Sequence, residues 1–287
     1  MSGYDQYRAW TEIIRQRLPI TVGDTFRIMS DRQPIPLDDV EPEWKILMDL
    51  DGKGRVLGGD MSFGSISDPA HRDMAIAYNL VGSTIGTGEG GIPLYRMKLL
   101  ASGEYANPQS HQFASGRFGV TPGYLRQCRV IQIKVAQGAK PGMGGLLPGR
   151  KVVPIIAEVR HVEVGTELQS PFNNEAIYSI EDLNAVINKL RQLNPVARIA
   201  VKIVSVSGAA MVAAGIAKAG ADIVWMAGHS GGTGASPLDT IKYGGLPVEY
   251  GVQLSHQVLA ESGLRDQAKL VGDGGIMDLW VREARLF

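Results

Sequence analysis

Residues 198–234 read RIAVKIVSVSGAAMVAAGIAKAGADIVWMAGHSGGTG. A β-branched run ends in Ser-Gly, a helix of small residues follows, and a second apolar run ends in a glycine turn. This is a strand–helix–strand unit, and near-continuous apolar strands of this kind belong to a parallel sheet buried on both faces. The rhythm extends in both directions. Upstream, VLGGDMSFGSIS (56–67) leads into a helical PAHRDMAIAYNLVG, STIGTGEGG (83–91) into a glycine turn, and VIQIKVAQGAKPGMGG (130–145) into another. SIEDLNAVINKLRQLN (179–194) reads as an amphipathic helix, with Ser179 and Asp182 in capping-box spacing. Downstream comes KLVGDGGI (269–276).

A closed barrel and an open doubly wound sheet both satisfy this alternation. Five expected strands end in glycine-rich or polar turns: MSFGS, GTGEGG, AQGAKPG, GHSGGTG and GDGG. A barrel gathers all its strand C-termini at one rim, whereas an open sheet uses only the crevice at its switch point. Many functional-looking turns favour the barrel. GSTIGTGEGG matches a dinucleotide fingerprint only loosely. The expected fold is therefore α/β, a (β/α)8 TIM-type barrel. Seven strands are expected, at MSF, STIG, VIQIK, a weak fourth near LQS (168–170), IAVKIV, DIVWMAG and KLVGDGG, and the eighth is lacking in this chain.

The 287 residues suit one such domain with an arm, because a barrel alone takes about 250 residues. Residues 1–55 read as an N-terminal arm: a helical stretch, Tyr7–Leu18, is followed by Pro19, Pro34, Pro36 and Pro42. Residues 56–287 form the expected barrel. With 29 basic and 29 acidic residues, no net field favours nucleic acid or a membrane surface. No apolar stretch approaches the ~20 residues of a membrane span, and the polar N-terminus has no signal core. The single cysteine, Cys128, excludes an internal disulfide and a cysteine-ligated cluster held by this chain alone, and a reducing cytoplasm is the simplest compartment.

Several side chains could carry chemistry. The Gly231–Gly234 turn suits a phosphate or another anion, or is a strained connection with no ligand. Lys202 sits mid-strand between β-branched residues. It either meets a group that gains negative charge or snorkels to the rim. Lys134, Gln137 and Lys140 cross a strand end into its loop, with Arg117 upstream, and suit a small dicarboxylate. Glu89 lies at another strand end, where it could orient an amine or merely cap a turn. His111, His229 and His256 have no metal-ligand spacing, so a structural role is the commoner case and no metal is expected.

MSFGSIS, TGEGG, ASGRFGVTP, IKVAQGAKPG, LPGRKV, YSIEDL, VKIVS, AKAGADIV, GHSGGTGASPLDTIKYGGLP and GDGG occur in that order. In this the chain resembles the FMN-binding synthase domain of glutamate synthases, from about residue 4 to Ile276, the YRAW, RLPITVGD and PIPLDDVEP strings of the arm included. The resemblance implies an oxidoreductase acting on CH–NH2 donors, with FMN at the rim. In that family 2-oxoglutarate and ammonia give 2-iminoglutarate, and reduced FMN passes hydride to it, yielding glutamate. It implies Glu89, Lys134 and Lys202 as catalytic and Arg117, Gln137, Lys140 and Arg160 as substrate-binding. It places Met61, Ser62, Gly64, Thr87 and Lys202 along the flavin ring, and Gly231, Gly232, Thr233, Gly274 and Gly275 at the phosphate end. It also implies partners: separate glutaminase and electron-donor chains, the latter ferredoxin or an NADPH-dependent subunit.

There are departures. Gly86 stands where the family has Asn, Met143 where it has Glu, Leu146 where it has a polar residue, and Ser230 where it has Asp. After GDGGI the chain reads MDLWVREARLF, without an eighth strand or the cysteines of the family's 3Fe–4S cluster, so that cluster is not expected. An oligomer or a completing chain is the expected consequence. Two alternatives stay open: a truncated, catalytically silent homologue, and an FMN-dependent oxidoreductase acting on a different 2-oxo acid or amine.

Overall fold

The computed structural model describes residues 57–274 except 117, 142, 172, 173, 175 and 233–235. The expected arm, 1–55, and the tail from 275 onward lie outside the described residues, as do Arg117, Thr233 and Gly275.

Seven parallel strands lie side by side in chain order. They are β1 (Gly58–Met61), β2 (Ile85–Thr87), β3 (Ser110–Phe113), β4 (Val130–Lys134), β7 (Arg198–Val204), β8 (Ile223–Ala227) and β9 (Lys269–Asp273). Two-residue strands β5 (Leu146–Leu147) and β6 (Leu168–Gln169) pair antiparallel outside this sheet. The helices are α1 (Asp68–Leu80), α2 (Pro122–Leu125), α3 (Pro154–Arg160), α4 (Ile180–Leu193), α5 (Ala209–Lys218), α6 (Leu238–Tyr243) and α7 (Val248–Glu261). None of the described helices is long and apolar enough to cross a membrane.

Strand order and the two faces of the sheet decide the architecture. A doubly wound sheet must reverse its strand order at a switch point; this one never does. Ile131, Ile133, Ile199, Val201, Ile203, Val224 and Met226 belong to one core with Leu183, Ile187 and Leu190 of α4, Ala213 and Ala217 of α5 and Val252 and Leu259 of α7. The alternating residues face the other way and pack on one another: Ala200, Ile223 and Trp225, with Leu57, Val130 and Val271 against them. Leu57 precedes the first strand and Val271 lies in the last, so the sheet curls until both edges meet one interior. Helices outside a curled, in-order parallel sheet are the winding of a (β/α)8 barrel, here with seven strands among the described residues.

The local signals act as expected. Ser179 accepts from the Asp182 N–H while the Asp182 carboxylate accepts from the Ser179 N–H, which completes the capping box of α4. Ser67 caps α1, and Pro69 occupies its first turn. The strand list needs three corrections. LQS does not supply a barrel strand, because Leu168 and Gln169 have their ladder partners in Leu146 and Leu147, away from the barrel sheet. The third strand is instead Ser110–Phe113, so VIQIK is the fourth. SHQF is polar because Ser110 and Gln112 turn to the interior, where polar groups gather, and an apolar-run criterion passes over it. The first strand is also shifted: it runs Gly58–Met61, and Phe63 makes only an isolated bridge to Ile66.

Candidate functional site at the strand C-termini

The interior carries a polar row. Gln112 Nε2 donates to Asp60 Oδ2 at 2.9 Å and to Gln132 Oε1 at 2.7 Å, joining β1, β3 and β4. Lys202 Nζ on β7 pairs with Asp273 Oδ2 on β9, and Trp225 Nε1 donates to that same oxygen at 2.8 Å. The ammonium lies 5.5 Å from the centroid of the Trp225 ring. Burial pushes the Asp60 carboxyl up to about 6, against the pull of Lys202 and the Gln112 hydrogen bond. Asp60 Oδ1 and Asp273 Oδ1 are buried and have no hydrogen-bond partner among the described residues.

Asp60 also explains Gly86. A Cβ at Gly86 would fall 1.2 Å from Asp60 Oδ1, so the carboxylate occupies the place of a side chain on the neighbouring strand. Gly86→Ala should therefore cost about 2 kcal/mol by overpacking, and Asp60→Ala in the same chain should recover most of it. Urea denaturation of the two single variants and the double variant measures this coupling, and additive costs would contradict it.

A second group lies at the ends of β2 and β4. Glu89 is 9% exposed and forms an ion pair with Lys134 at 3.5 Å. Ser170, just past β6, donates to Glu89 Oε1 at 3.4 Å and accepts from the Gly145 N–H at 2.6 Å. Glu89, Lys134, Gln137, Lys140, Met143 and Ser170 line one small recess. Leu146 does not line it and is half exposed. Arg160 is buried: its Nη2 donates to the Phe63 carbonyl at 3.0 Å, burial works against its charge with Glu89 offsetting only part of that, and it packs under Gly90 rather than lining the recess.

The glycine turns adjoin this recess. Gly231 donates to Gly228 O and accepts from the Ala139 N–H at 2.7 Å, tying the two loops together. Gly232 has φ +115°, and a Cβ there would meet the Gln137 side chain at 3.1 Å. Gly274, at φ +86°, abuts the backbone of Gly231. Met61 ends β1, Ser62 follows it, and Gly64 turns the chain at φ +92° against Ile156. Thr87 is fully buried between His71 and the Gly91 carbonyl.

The structure thus gathers Met61, Ser62, Gly64, Thr87, Glu89, Lys134, Gln137, Lys140, Lys202, Gly231, Gly232 and Gly274 on one rim. A family model described as a conserved region in glutamate synthase matches residues 2–280. The chain belongs to the glutamate synthase family. It is 45% identical over 273 residues to the glutamate synthase (NADPH) large chain of Azospirillum brasilense, covering 95% of this chain and 18% of that one. Against the ferredoxin-dependent glutamate synthase of Pyropia yezoensis the identity is 42% over 290 residues, covering 95% and 18%. Against the glutamate synthase (NADH) of Schizosaccharomyces pombe it is 45% over 273 residues, covering 93% and 13%. The chain spans less than a fifth of the length of these relatives.

Within this glutamate synthase segment, several participants were not picked out from the sequence, among them Gln112, Gln132, Trp225 and Asp273 of the polar row. Asp60 announced itself only as a lone carboxylate in an apolar strand. Ser170 was read as part of a barrel strand. His71 sits in an ordinary amphipathic helix, and nothing in its spacing sets it apart. His229 Nδ1 donates to the Ile241 carbonyl at 3.2 Å.

Proposed function

We propose that this chain supplies the synthase rim of a glutamate synthase, where an FMN-dependent reduction joins ammonia to 2-oxoglutarate in a cytoplasmic enzyme. One observation carries this reading: Lys134, Gln137 and Lys140 share a recess with Glu89, beside the strand ends of Met61 and Lys202. The residues fit a flavin. Two buried carboxylate oxygens, on Asp60 and Asp273, call for donors, and a flavin offers its N3–H and ribityl hydroxyls. Lys202 has N–H groups beyond the one given to Asp273, for a ring edge that gains negative charge. When bound, FMN supplies hydride chemistry; the protein supplies position and charge. Lys134 and Lys140 hold the substrate carboxylates, Gln137 fixes their orientation against the Gly232 turn, and Glu89, steadied by Lys134 and Ser170, holds or moves a proton at the amine. The names of the relatives support ferredoxin or a nicotinamide-dependent chain as the electron source.

Met143 in the recess wall favours a second reading, in which the substrate is a 2-oxo acid with an apolar side chain. Calorimetric titration separates the two. The expected outcome is saturable binding of 2-oxoglutarate in preference to 2-oxoisocaproate, weakened about tenfold by Lys140→Ala, as loss of a charged hydrogen bond implies. Preference for 2-oxoisocaproate would favour the second reading, and binding insensitive to Lys140→Ala would remove the recess from the account.

A further inference from the structure

A buried relay lies beneath the ends of β1 and β2. Arg96 is fully buried and uses all five of its N–H donors. Nε and Nη2 donate to the Ala106 carbonyl at 3.1 and 2.7 Å, and Nη2 also donates to the His71 carbonyl at 3.1 Å. Nη1 donates to His71 Nδ1 at 2.7 Å and reaches Asp68 Oδ1 at 3.5 Å. Tyr95 Oη donates to the other Asp68 oxygen at 2.6 Å. A guanidinium can only donate, so His71 Nδ1 carries the lone pair and Nε2 carries the proton. That proton lies between two acceptors, the Met61 carbonyl at 3.0 Å and Thr87 Oγ1 at 3.2 Å. Thr87 in turn donates to the Gly91 carbonyl at 3.4 Å, closing the turn that carries Glu89. Phe63 holds the imidazole edge-on, with ring centroids 6.0 Å apart.

The relay acts where the register between β1 and β2 breaks. β1 and β2 pair at Gly58 with Ile85 and at Met61 with Thr87, three steps against two, so the ladder is irregular between them. Met61 O accepts from the Gly88 N–H at 3.2 Å, and His71 provides its second donor. The groups facing His71 are Arg96 from the turn after β2, Asp68 from its own helix and His111 from β3. Burial, with the charge of Arg96, outweighs Asp68 and keeps the ring neutral above about 4.

We propose that His71 is a positioning residue: through its fixed tautomer it sets the Met61 carbonyl and the Thr87–Gly91 turn, and with them the flavin-facing strand end and Glu89. The ligand half of this inference rests on the flavin reading above; the positioning half does not. Three measurements on the full chain separate them. Nitrogen NMR of labelled histidines should show His71 as the Nε2–H tautomer without titration between pH 5 and 8. Hydrogen exchange at Gly88–Gly91 should accelerate in His71→Phe and stay near wild type in His71→Gln, whose amide keeps a donor at the same reach. FMN affinity, read by fluorescence quenching, should fall at least about tenfold in His71→Phe and recover in His71→Gln. An Nδ1–H tautomer, or unchanged exchange in a folded His71→Phe, overturns the inference. If exchange changes as expected and the wild-type chain does not quench FMN, the positioning role stands and the flavin reading falls. If Gln fails to restore affinity while FMN binds the wild type, the hydrogen bond is not what positions the rim.

Discussion

Stability should fall by roughly 3 kcal/mol as the pH drops from about 6.5 to 4, and by about twice that when Asp60 is replaced by Asn. Burial is the main cause of lowering for both His71 and His111, from 6.5 to about 4. His111 is fully enclosed, stacked on Tyr124 at 4.1 Å and hydrogen-bonded to the Tyr124 carbonyl at 2.8 Å. For each, the unfolded chain takes up a proton near pH 6.5 that the folded chain refuses until about pH 4. Their contribution is thus intact above the higher value and lost as pH falls through the window, roughly 3 kcal/mol apiece. Asp60 works in the opposite sense. Its folded value of about 6 lies above the ordinary 3.8, so the folded chain binds the proton first and gains stability as pH falls through that range. The carboxylate therefore offsets about one histidine. Chemical denaturation at pH 7, 5 and 4 checks this on wild type, Asp60→Asn and His71→Gln, the last expected to show the shallowest decline. Stability that is flat or rises towards pH 4 in Asp60→Asn would contradict it.

Lys202→Met should destabilise the fold by roughly 3 kcal/mol, because removing one member of a buried ion pair leaves the other uncompensated. Lys202 is 5% exposed, and it is the cation for two carboxylates, Asp273 by direct contact and Asp60 across the interior. The Asp273 side chain keeps 21% exposure, which places the cost at the lower end of the usual range. Asp273→Asn in the same chain should recover most of the loss, since the orphaned charge is then gone. Any flavin bound to the Lys202→Met variant should also show a lower reduction potential, for its reduced form loses a counter-charge. Thermal and urea melts of the single and double variants measure the first effect. A cost below about 1 kcal/mol, with no recovery in the double variant, would mean that the pair is not a structural element of the interior.

The sequence made the barrel legible wherever a strand is apolar on both faces. Arg198–Val204 and Ile223–Ala227 are of this kind, and each was recognisable from composition alone. Ser110–Phe113 was not, because its buried side chains are polar, and Gln112 finds its partners, Gln132 and Asp60, only at a distance in sequence. The weak LQS signal marked a real extended segment, but nothing local says whether such a segment joins the barrel or pairs with its own loop. The same division holds for the site. Lys134, Gln137 and Lys140 lie within seven positions, so their convergence could be anticipated from one strand end. Asp60 with Gly86, Ser170 with Glu89 and Arg96 with His71 are joined by the fold across 25 to 81 positions of chain. Their chemistry is visible only once the strands are in place.

The central claim, that the C-terminal rim of this sheet is a flavin site with an oxo-acid recess beside it, is tested most directly by a crystal structure of the chain soaked with FMN. The expected result is a flavin ring lying along the Met61–Ser62 strand end, with Lys202 Nζ at its edge and the ribityl chain directed to Gly231 and Gly232. A flavin seated elsewhere, or a rim left unchanged at saturating FMN, would contradict the account.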